Sequence, residues 1–374
     1  MASVKAFIRK WFPVPEDYSE KRLFSLDLLR GLDMLLLTVL EPLISGLQNT
    51  FKCFPESVMG QLTHNWLGFT LYDIIMPLFI FMCGAAIPFS LGRRLKEGKL
   101  VFLRHVFGRV VLLWFLGGCV QGNWLAFDPH TFCPYANTLQ AIAFGYLATA
   151  LMMMVPGRVF QYALPIALTA GYGWLLGCTF TETDNLALTV DRAFRGALVP
   201  ADNAFCDAPY TWVLTSMMFA AMTMCGYHAT RILVGAGTAW RKTSVLSAYG
   251  AVLLVAGLVA AVWIPVAKPV YSISFTLQAM GWCVLALASL YVLTDIYRFR
   301  RGTSLALLFG QFALTAYILR ELFAGVLIQL ATTVGSGLDR LFHGGGAYGI
   351  VIQLIVALEL IAAVALWRRF KTAK

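Results

Sequence analysis

The chain has 374 residues, of which 59% are hydrophobic and only 13% are charged, and its mean hydropathy is +0.73. This composition excludes an ordinary soluble globular protein and indicates a polytopic membrane protein. The formal net charge of +10 is accounted for by topology and lipid contact, so it requires no nucleic-acid partner. Apolar windows long enough to cross a bilayer predict an all-α bundle of ten transmembrane helices, near 24–45, 70–92, 104–122, 137–155, 158–178, 211–229, 243–264, 272–296, 304–330 and 347–367.

The N-terminal segment, residues 1–22, is basic and amphipathic, which is typical of a segment that lies on the cytoplasmic membrane surface. It lacks a small-residue cleavage site after a short apolar core, so we do not expect a removable signal peptide. No separate soluble domain is visible in the pattern. We therefore expect one membrane-embedded domain over residues 1–374.

The first predicted helix carries ionisable residues in otherwise apolar sequence, at Asp27, Arg30, Asp33 and Glu41. Such residues are unfavourable within a membrane unless they are paired or face a polar cavity, and they indicate a functional site. The first three are spaced i, i+3 and i+6, so Arg30 can pair with either acid. A functional site and a structural ion cluster both remain open for these three residues.

The loop before the second predicted helix contains the sequence HNWLGFTLYD, which begins at His64. A histidine at the membrane boundary, with Asp73 nine residues later, can act as a general base that a carboxylate orients and makes more basic. Asn65 and Trp66 offer N–H donors for an oxyanion or a glycan. On spacing alone, an interfacial histidine without a chemical role remains the alternative.

Lysine and arginine residues predict the orientation of the chain. They cluster on the face that holds both termini and the loop after the second helix, which places the N- and C-termini in the cytoplasm and the protein in the inner (cytoplasmic) membrane. The loops at 46–69, 122–136, 179–210 and 331–346 then face the periplasm or its equivalent, and the glycine-rich stretch 335–349 is expected to be a flexible external turn. Four cysteines fall in these loops or at their edge, where a disulfide is permitted with its pairing open: Cys53, Cys133, Cys178 and Cys206.

Five blocks are spread over most of the chain, at residues 22–34, 63–91, 137–146, 264–281 and 309–321. Together they resemble the heparan-α-glucosaminide N-acetyltransferase family of membrane acetyltransferases. The second block is the most specific, because the family pattern there has a His, then Trp, Gly, Thr and Asp, then Pro-Leu-Phe and a Gly. The chain departs from this pattern in spacing, since His64 precedes Trp66 by two residues instead of three. It also departs in residue type, since Leu67 replaces a polar residue, Ala141 an arginine and Phe312 an asparagine.

The resemblance implies a bundle of about ten helices that uses cytosolic acetyl-CoA, without a metal, to acetylate the amine of a terminal glucosamine on the opposite face. It implies that His64 is the essential histidine, and it matches Asp73, Gln140 and Lys268 to family positions. On chemical grounds we expect His64 to be the base, with Asp73 or Glu41 holding its tautomer, and direct transfer is favoured over an acetyl-histidine intermediate because a histidine flanked by carboxylates suits proton transfer. CoA phosphates are expected at basic residues of the cytoplasmic mouth. The residues expected to bind acetyl-CoA are Arg30, Arg93, Arg94, Arg109, Asn137, Gln140 and Lys268, and those expected to bind the acceptor are Asn65, Trp66 and Glu41.

Two other functions stay open on the sequence. One is an envelope glycan O-acetyltransferase, and the other is a secondary transporter of a sugar or an anion. A transporter is expected to show paired broken helices in corresponding halves of the chain, whereas the polar residues here concentrate in the first two predicted helices. The expected partners are acetyl-CoA, an amino-sugar or glycan acceptor and membrane lipids, with a second copy of the chain as a further candidate.

Overall fold

Helices make up all the regular secondary structure of the described residues. The structure is a computed structural model, which describes residues 23–52, 54–63, 65–177, 180–200, 202–203, 210–342 and 346–372. The chain divides into two compact units, which we name the central unit (residues 64–289) and the split unit (residues 1–63 and 290–374). The predicted surface segment at 1–22 lies outside the described residues.

The split unit begins with α1 (Phe24–Leu35), which continues through a π-helical turn (Leu36–Leu40) into α2 (Glu41–Phe51). The short helix α3 (Glu56–Met59) follows. The central unit contains α4 (Ile75–Ser90), α5 (Gly92–Glu97), α6 (Lys99–Gln121), α7 (Thr138–Met154), α8 (Arg158–Leu176), α9 (Leu186–Gly196), α10 (Ser216–Val234), α11 (Ala239–Ala260) and α12 (Ile273–Tyr291), whose last two residues belong to the split unit. The chain then completes the split unit with a second π-helical turn (Val292–Ile296) and with α13 (Ser304–Gln311), α14 (Ala313–Leu322), α15 (Ala324–Phe342) and α16 (Gly346–Thr372).

Helix α10 is the most buried helix of the central unit, since every residue from 218 to 230 is buried. Two glycines bring it against α4: a Cβ on Gly84 would lie 1.8 Å from the carbonyl oxygen of Thr223, and a Cβ on Gly226 would lie 1.9 Å from that of Phe81. Only residues without a side chain permit so close an approach of two helix backbones. The start of α4, where the candidate site lies, is therefore on a tightly packed helix.

In the split unit, α1 packs against α13 through another pair of glycines. A Cβ on Gly31 would lie 1.6 Å from the carbonyl oxygen of Ala306, and one on Gly310 would lie 1.8 Å from that of Asp27. The Asp295 carboxylate accepts hydrogen bonds from the first two N–H groups of α1, those of Phe24 and Ser25, at 3.3 and 3.0 Å. A carboxylate at this position accepts hydrogen bonds from N–H groups of the first turn, which have no partner within the helix. Its negative charge also interacts favourably with the positive end of the helix dipole.

Six helices of the described part of the chain are long and apolar enough to cross a membrane, so the ten-helix prediction is not confirmed. They are Tyr72–Ser90, Lys99–Gln121, Arg158–Leu176, Ala239–Ala260, Ile273–Ile296 and Tyr348–Lys371. A seventh is counted if α13 and α14, which are bent by 80° at a short break, form one span. The window 24–45 contains four ionisable residues, and the window at 137–155 forms a helix of only 17 residues.

Two predicted outer loops contain helices. The glycine-rich stretch that we expected to be a flexible turn is helical up to Phe342, and a new helix begins at Gly346. The acidic loop at 179–210 contains α9, whose buried face includes Ala187 and Leu188. The prediction of a flexible turn was wrong for the described residues of 335–349, because glycine was taken as a turn signal where packing favours a helix. The outer position of 179–210 stays a prediction. Of the four outer cysteines, Cys133 is buried, and the other three lie outside the described residues.

Candidate functional site

A buried ion pair lies at the start of α4 in the central unit. Asp73 is completely buried and Lys268 is 4% exposed, and the Asp73 Oδ1 atom is 3.3 Å from the Lys268 Nζ atom. Two charges withdrawn from water in this way need each other, because desolvation penalises each of them. The sequence predicted both as site residues for separate reasons, and the structure brings them together.

The second carboxylate oxygen of Asp73 is used by the turn that starts the helix. Asp73 Oδ2 accepts hydrogen bonds from the Thr70 N–H at 3.0 Å and from the Thr70 hydroxyl at 2.8 Å. The Asp73 N–H in turn donates to the Thr70 carbonyl oxygen at 3.1 Å. This arrangement corresponds to the side chain of a capping box, in which an acidic residue reaches back to the N–H three residues earlier. The orientation of the carboxylate is therefore fixed.

Lys268 is part of a turn that precedes α12. The Tyr271 N–H donates to the Lys268 carbonyl oxygen at 2.9 Å, and the Ser272 N–H donates to the Ala267 carbonyl oxygen at 3.1 Å. Three donors from elsewhere in the central unit hold the carbonyl oxygens of this segment: the Gly68 N–H donates to Val266, the Thr211 N–H to Pro269 and the Tyr172 hydroxyl to Val270. These hydrogen bonds fix the position of the backbone that carries Lys268.

A second buried ion pair holds the segment 210–213, whose Thr211 N–H donates to the Pro269 carbonyl oxygen of the Lys268 turn. Arg195 and Asp191 on α9 are 2% and 1% exposed, with 3.1 Å between the guanidinium and the carboxylate. Asp191 also accepts hydrogen bonds from the N–H groups of Trp212 and Val213 at 2.8 and 2.9 Å, and Arg195 donates to the Tyr210 carbonyl oxygen at 3.2 Å. The sequence analysis missed this pair. The available signal was the i, i+4 spacing of the two residues.

Burial determines the titration of the groups around this turn. It lowers the pKa of Lys268 to about 8, although the Asp73 carboxylate favours the charged form. Burial, and to a smaller degree the charge of Asp73, raises the pKa of Tyr210 to about 12. The pKa of Tyr271 is also raised, mainly by burial, and Tyr210 and Asp73 both contribute. Both tyrosines therefore lie within electrostatic reach of the Asp73 carboxylate.

The predicted catalytic residue His64 lies outside the described residues, but the residues after it are described. Asn65 is exposed and Trp66 is half-buried. The Gly68 N–H donates to the Val266 carbonyl oxygen at 2.8 Å, two residues before Lys268. This hydrogen bond ties the loop that follows His64 to the segment that carries the lysine.

Asn137 and Gln140 are both buried and form a capping box at the start of α7. Asn137 accepts the Leu139 N–H at 2.6 Å, and Gln140 accepts the Asn137 N–H at 3.2 Å. The remaining amide groups donate to Gln121 and to the Pro134 carbonyl oxygen. These bonds give both residues a structural task, and their role in binding acetyl-CoA stays a prediction.

Two of the arginines predicted to bind CoA interact with the same tyrosine, Tyr146. The Arg109 guanidinium lies 4.8 Å from the ring centroid of Tyr146, and Arg94 also acts electrostatically on this residue. Arg94 is half-buried in α5, and the side chain of Arg93 lies outside the described part of the chain. The structure thus brings Arg94 and Arg109 to one region of the central unit.

Arg30 and Glu41 belong to the split unit. The predicted ion pair of Arg30 with a neighbouring acid is confirmed for Asp27, at 3.2 Å, with the side chains 22% and 11% exposed. Asp33 is 3% exposed, and its Oδ2 atom has no hydrogen-bond partner among the residues described. Glu41 is half-buried and accepts a hydrogen bond from the Ser45 hydroxyl at 2.9 Å.

The fold and this site define a helical, multi-span membrane protein with a buried Asp–Lys pair at one end of a spanning helix. A comparison with protein-family models gives no match to the chain, and a comparison with curated proteins gives none either. Within the described ranges, no group of three or more His, Cys, Asp and Glu side chains is arranged to hold a metal ion.

Proposed function

We propose that the protein is an acetyltransferase that transfers the acetyl group of cytosolic acetyl-CoA to the amine of an amino sugar on the outer face of the membrane. The observation that carries the proposal is the buried Asp73–Lys268 pair, which joins the loop after His64 to a second polar segment. Buried charged groups with perturbed titration are concentrated at functional sites. The resemblance of residues 63–91 to membrane acetyltransferases supplies the reaction.

The reaction transfers one acetyl group and one proton. The amine nitrogen of the acceptor attacks the thioester carbonyl carbon, the carbon–sulfur bond breaks, and the sulfur leaves as the thiol of CoA. His64, as general base, takes the proton from the attacking amine and returns it to the sulfur. The side chains of Asn65 and Trp66 are proposed to donate hydrogen bonds to the developing oxyanion or to the sugar.

Acetyl-CoA, the donor of the acetyl group, needs a basic binding site. The phosphates of CoA are negatively charged, and arginine binds phosphate in a bidentate manner. We assign this task to Arg94 and Arg109, which both act on Tyr146, and to Arg93. Within the split unit, the Arg30 guanidinium pairs with Asp27, and its role in binding acetyl-CoA stays a prediction.

The test is turnover of glucosamine and acetyl-CoA by the purified protein in nanodiscs. His64→Ala is expected to lower turnover by on the order of a hundredfold to ten-thousandfold, the usual contribution of a general base, with an unchanged melting temperature. Asp73→Asn is expected to have a smaller effect. The control is His130→Ala, because His130 and Asp202 form an exposed pair that contributes little.

Three outcomes separate the parts of this proposal. Wild-type protein that neither binds nor hydrolyses acetyl-CoA would overturn the reaction. Wild-type turnover in His64→Ala would remove the histidine from the mechanism. Alkaline hydrolysis of the product distinguishes the acceptor group, because an O-acetyl ester is cleaved and an N-acetyl amide is not.

Secondary transport is the second candidate, and the broken helices of the split unit favour it. Helices α13 and α14 are bent by 80° on either side of Phe312, and π-helical turns interrupt the chain at Leu36–Leu40 and Val292–Ile296. Broken helices form the substrate and ion sites of many transporters. Uptake of labelled glucosamine into proteoliposomes without acetyl-CoA would support transport, and uptake that requires acetyl-CoA would not.

A further inference from the structure

Tyr271 has a buried hydroxyl group without a hydrogen-bond partner in the described part of the chain. The residue is 1% exposed. Its ring is held edge-on between two phenylalanines, at centroid distances of 4.9 Å from Phe219 and 5.2 Å from Phe275. A phenylalanine would make the same ring contacts without leaving a polar atom unsatisfied, so packing does not explain the hydroxyl.

The backbone at Tyr271 is also unusual. Its φ angle is +45°, in the left-handed region that a bulky side chain rarely adopts. Such a conformation persists only where the surroundings impose it, and it is found preferentially at functional sites. Here the imposing contacts are the hydrogen bond from the Tyr271 N–H to the Lys268 carbonyl oxygen and the bonds to the carbonyl oxygens of the two intervening residues, Pro269 and Val270.

The surroundings of the hydroxyl indicate what it binds. Tyr271 is in the same turn as Lys268, and it interacts electrostatically with the Asp73 carboxylate. Because the carboxylate and the ammonium neutralise each other at 3.3 Å, this pair has no net charge that would attract a phosphate or an ammonium to the turn. An uncharged oxygen, such as that of a sugar hydroxyl, fits these conditions.

We propose that Tyr271 is a substrate-binding residue, whose hydroxyl forms a hydrogen bond with an uncharged hydroxyl group of the sugar acceptor. The inference rests on the proposed function, since it names the residue that recognises the acceptor of that reaction. It makes the turn Lys268–Tyr271 the acceptor side of the site. Lys268 and Asp73 then fix the position of the turn, while Tyr271 makes the contact.

Binding of glucosamine to the protein in nanodiscs, measured by calorimetry without acetyl-CoA, tests the inference separately from acetyl transfer. Tyr271→Phe is expected to weaken binding roughly three- to tenfold, the usual effect of losing one hydrogen bond. The melting temperature is expected to stay the same or rise, because the variant removes an unsatisfied polar atom. The control is Tyr135→Phe, since the buried Tyr135 hydroxyl already pairs with Ser216 at 2.8 Å. This control is expected to lower the melting temperature without changing the affinity.

Deoxy analogues of glucosamine identify the hydroxyl that is bound. The analogue that lacks this hydroxyl is expected to lose affinity for the wild type but no further affinity for Tyr271→Phe, whereas the other analogues lose the same factor in both proteins. An unchanged dissociation constant in Tyr271→Phe would overturn the inference and leave the proposed acetyl transfer untouched. Wild-type protein that acetylates another acceptor but has no affinity for glucosamine would overturn the inference and the assigned acceptor, but not acetyl transfer.

Discussion

The ion pair between Asp73 and Lys268 is a costly way to stabilise a protein. Burying both charges carries a desolvation penalty that the attraction between them only offsets when further hydrogen bonds are present, and apolar residues of the same size are often as stable. The hydrogen bonds from Thr70 supply part of that requirement on the carboxylate side. We infer that the pair is retained for its place in the site, and that breaking it is damaging while replacing it is not.

Lys268→Met is expected to lower the free energy of unfolding by about 3–5 kcal/mol, because it leaves the Asp73 carboxylate buried without its counter-charge. The double variant with Asp73→Asn is expected to recover much of the loss, since the asparagine can still accept the Thr70 N–H. Unfolding in detergent measures both. Lys99→Met at an exposed position is the control, with a change within about 0.5 kcal/mol. Equal melting temperatures for Lys268→Met and the control would contradict the role of the pair.

The lowered pKa of Lys268 predicts a pH dependence with a defined sign. In the unfolded chain the lysine titrates near 10.4, whereas burial brings its pKa to about 8 in the folded protein. Between these values the unfolded state binds more protons, so the free energy of unfolding rises as the pH increases from about 8 to about 10.4. Melting curves of the wild type and of Lys268→Met over pH 7–10 measure this. The wild type should gain stability relative to the variant, and parallel curves would show that the lysine is not buried in this way.

At the residue scale, the contacts of the candidate site could not be predicted from the sequence. Asp73 and Lys268 were both chosen as site residues, but their pairing depends on two loops far apart in the chain. Asn137 and Gln140 have the i, i+3 spacing of a capping box. This spacing could have predicted the start of α7, but both residues were predicted only as ligands of acetyl-CoA. Tyr271 carried no signal at all, because an unsatisfied hydroxyl exists only in the folded structure.

Helices were predicted well where they are continuous and apolar. The window at 158–178 corresponds to α8, Arg158–Leu176, and the window at 70–92 to the span Tyr72–Ser90. The break at Phe312 was not predicted, because the sequence FGQFAL contains no proline and only one glycine and an apolar window does not report a bend. Helix α10 is buried all around, so its sequence has no polar face that would have shown its central position.

The contact between α4 and α10 is expected to tolerate no side chain at Gly84. In Gly84→Ala the added Cβ would meet the Thr223 carbonyl oxygen at 1.8 Å, and the backbones must separate, which costs about 1–3 kcal/mol or more. The matched control is Gly108→Ala in α6, where nothing lies within 4 Å of the added Cβ; alanine there is neutral or stabilises by up to about 1 kcal/mol. Thermal unfolding compares the two variants. Equal stability would contradict the close helix contact.

At the scale of the whole molecule, helix length and the distribution of lysine and arginine predict how the chain is oriented in the membrane. Helix α6 has 23 residues and is about 34 Å long, enough to cross the hydrocarbon core. Its N-terminal end is basic, because Arg94 and Lys96 precede the helix and Lys99 begins it, whereas the segment after the helix has no lysine or arginine before residue 158. By the positive-inside rule, this asymmetry favours a cytoplasmic position for the start of α6.

Reporter fusions test this orientation, and with it the sidedness of the proposed reaction. We expect a fluorescent protein fused after Gly98 to fluoresce, because it stays in the cytoplasm, and an alkaline phosphatase fused after Phe127 to be active, because it is exported. The span Tyr72–Ser90 is about 28 Å long, so a cytoplasmic Gly98 places Asp73 and the residues after His64 at the outer end of that span. The reciprocal fusions, phosphatase after Gly98 and the fluorescent protein after Phe127, are the controls and should both be inactive. Active phosphatase after Gly98 would invert the chain, bring the Asp73 end to the side where acetyl-CoA is made, and exclude an acceptor on the outer face.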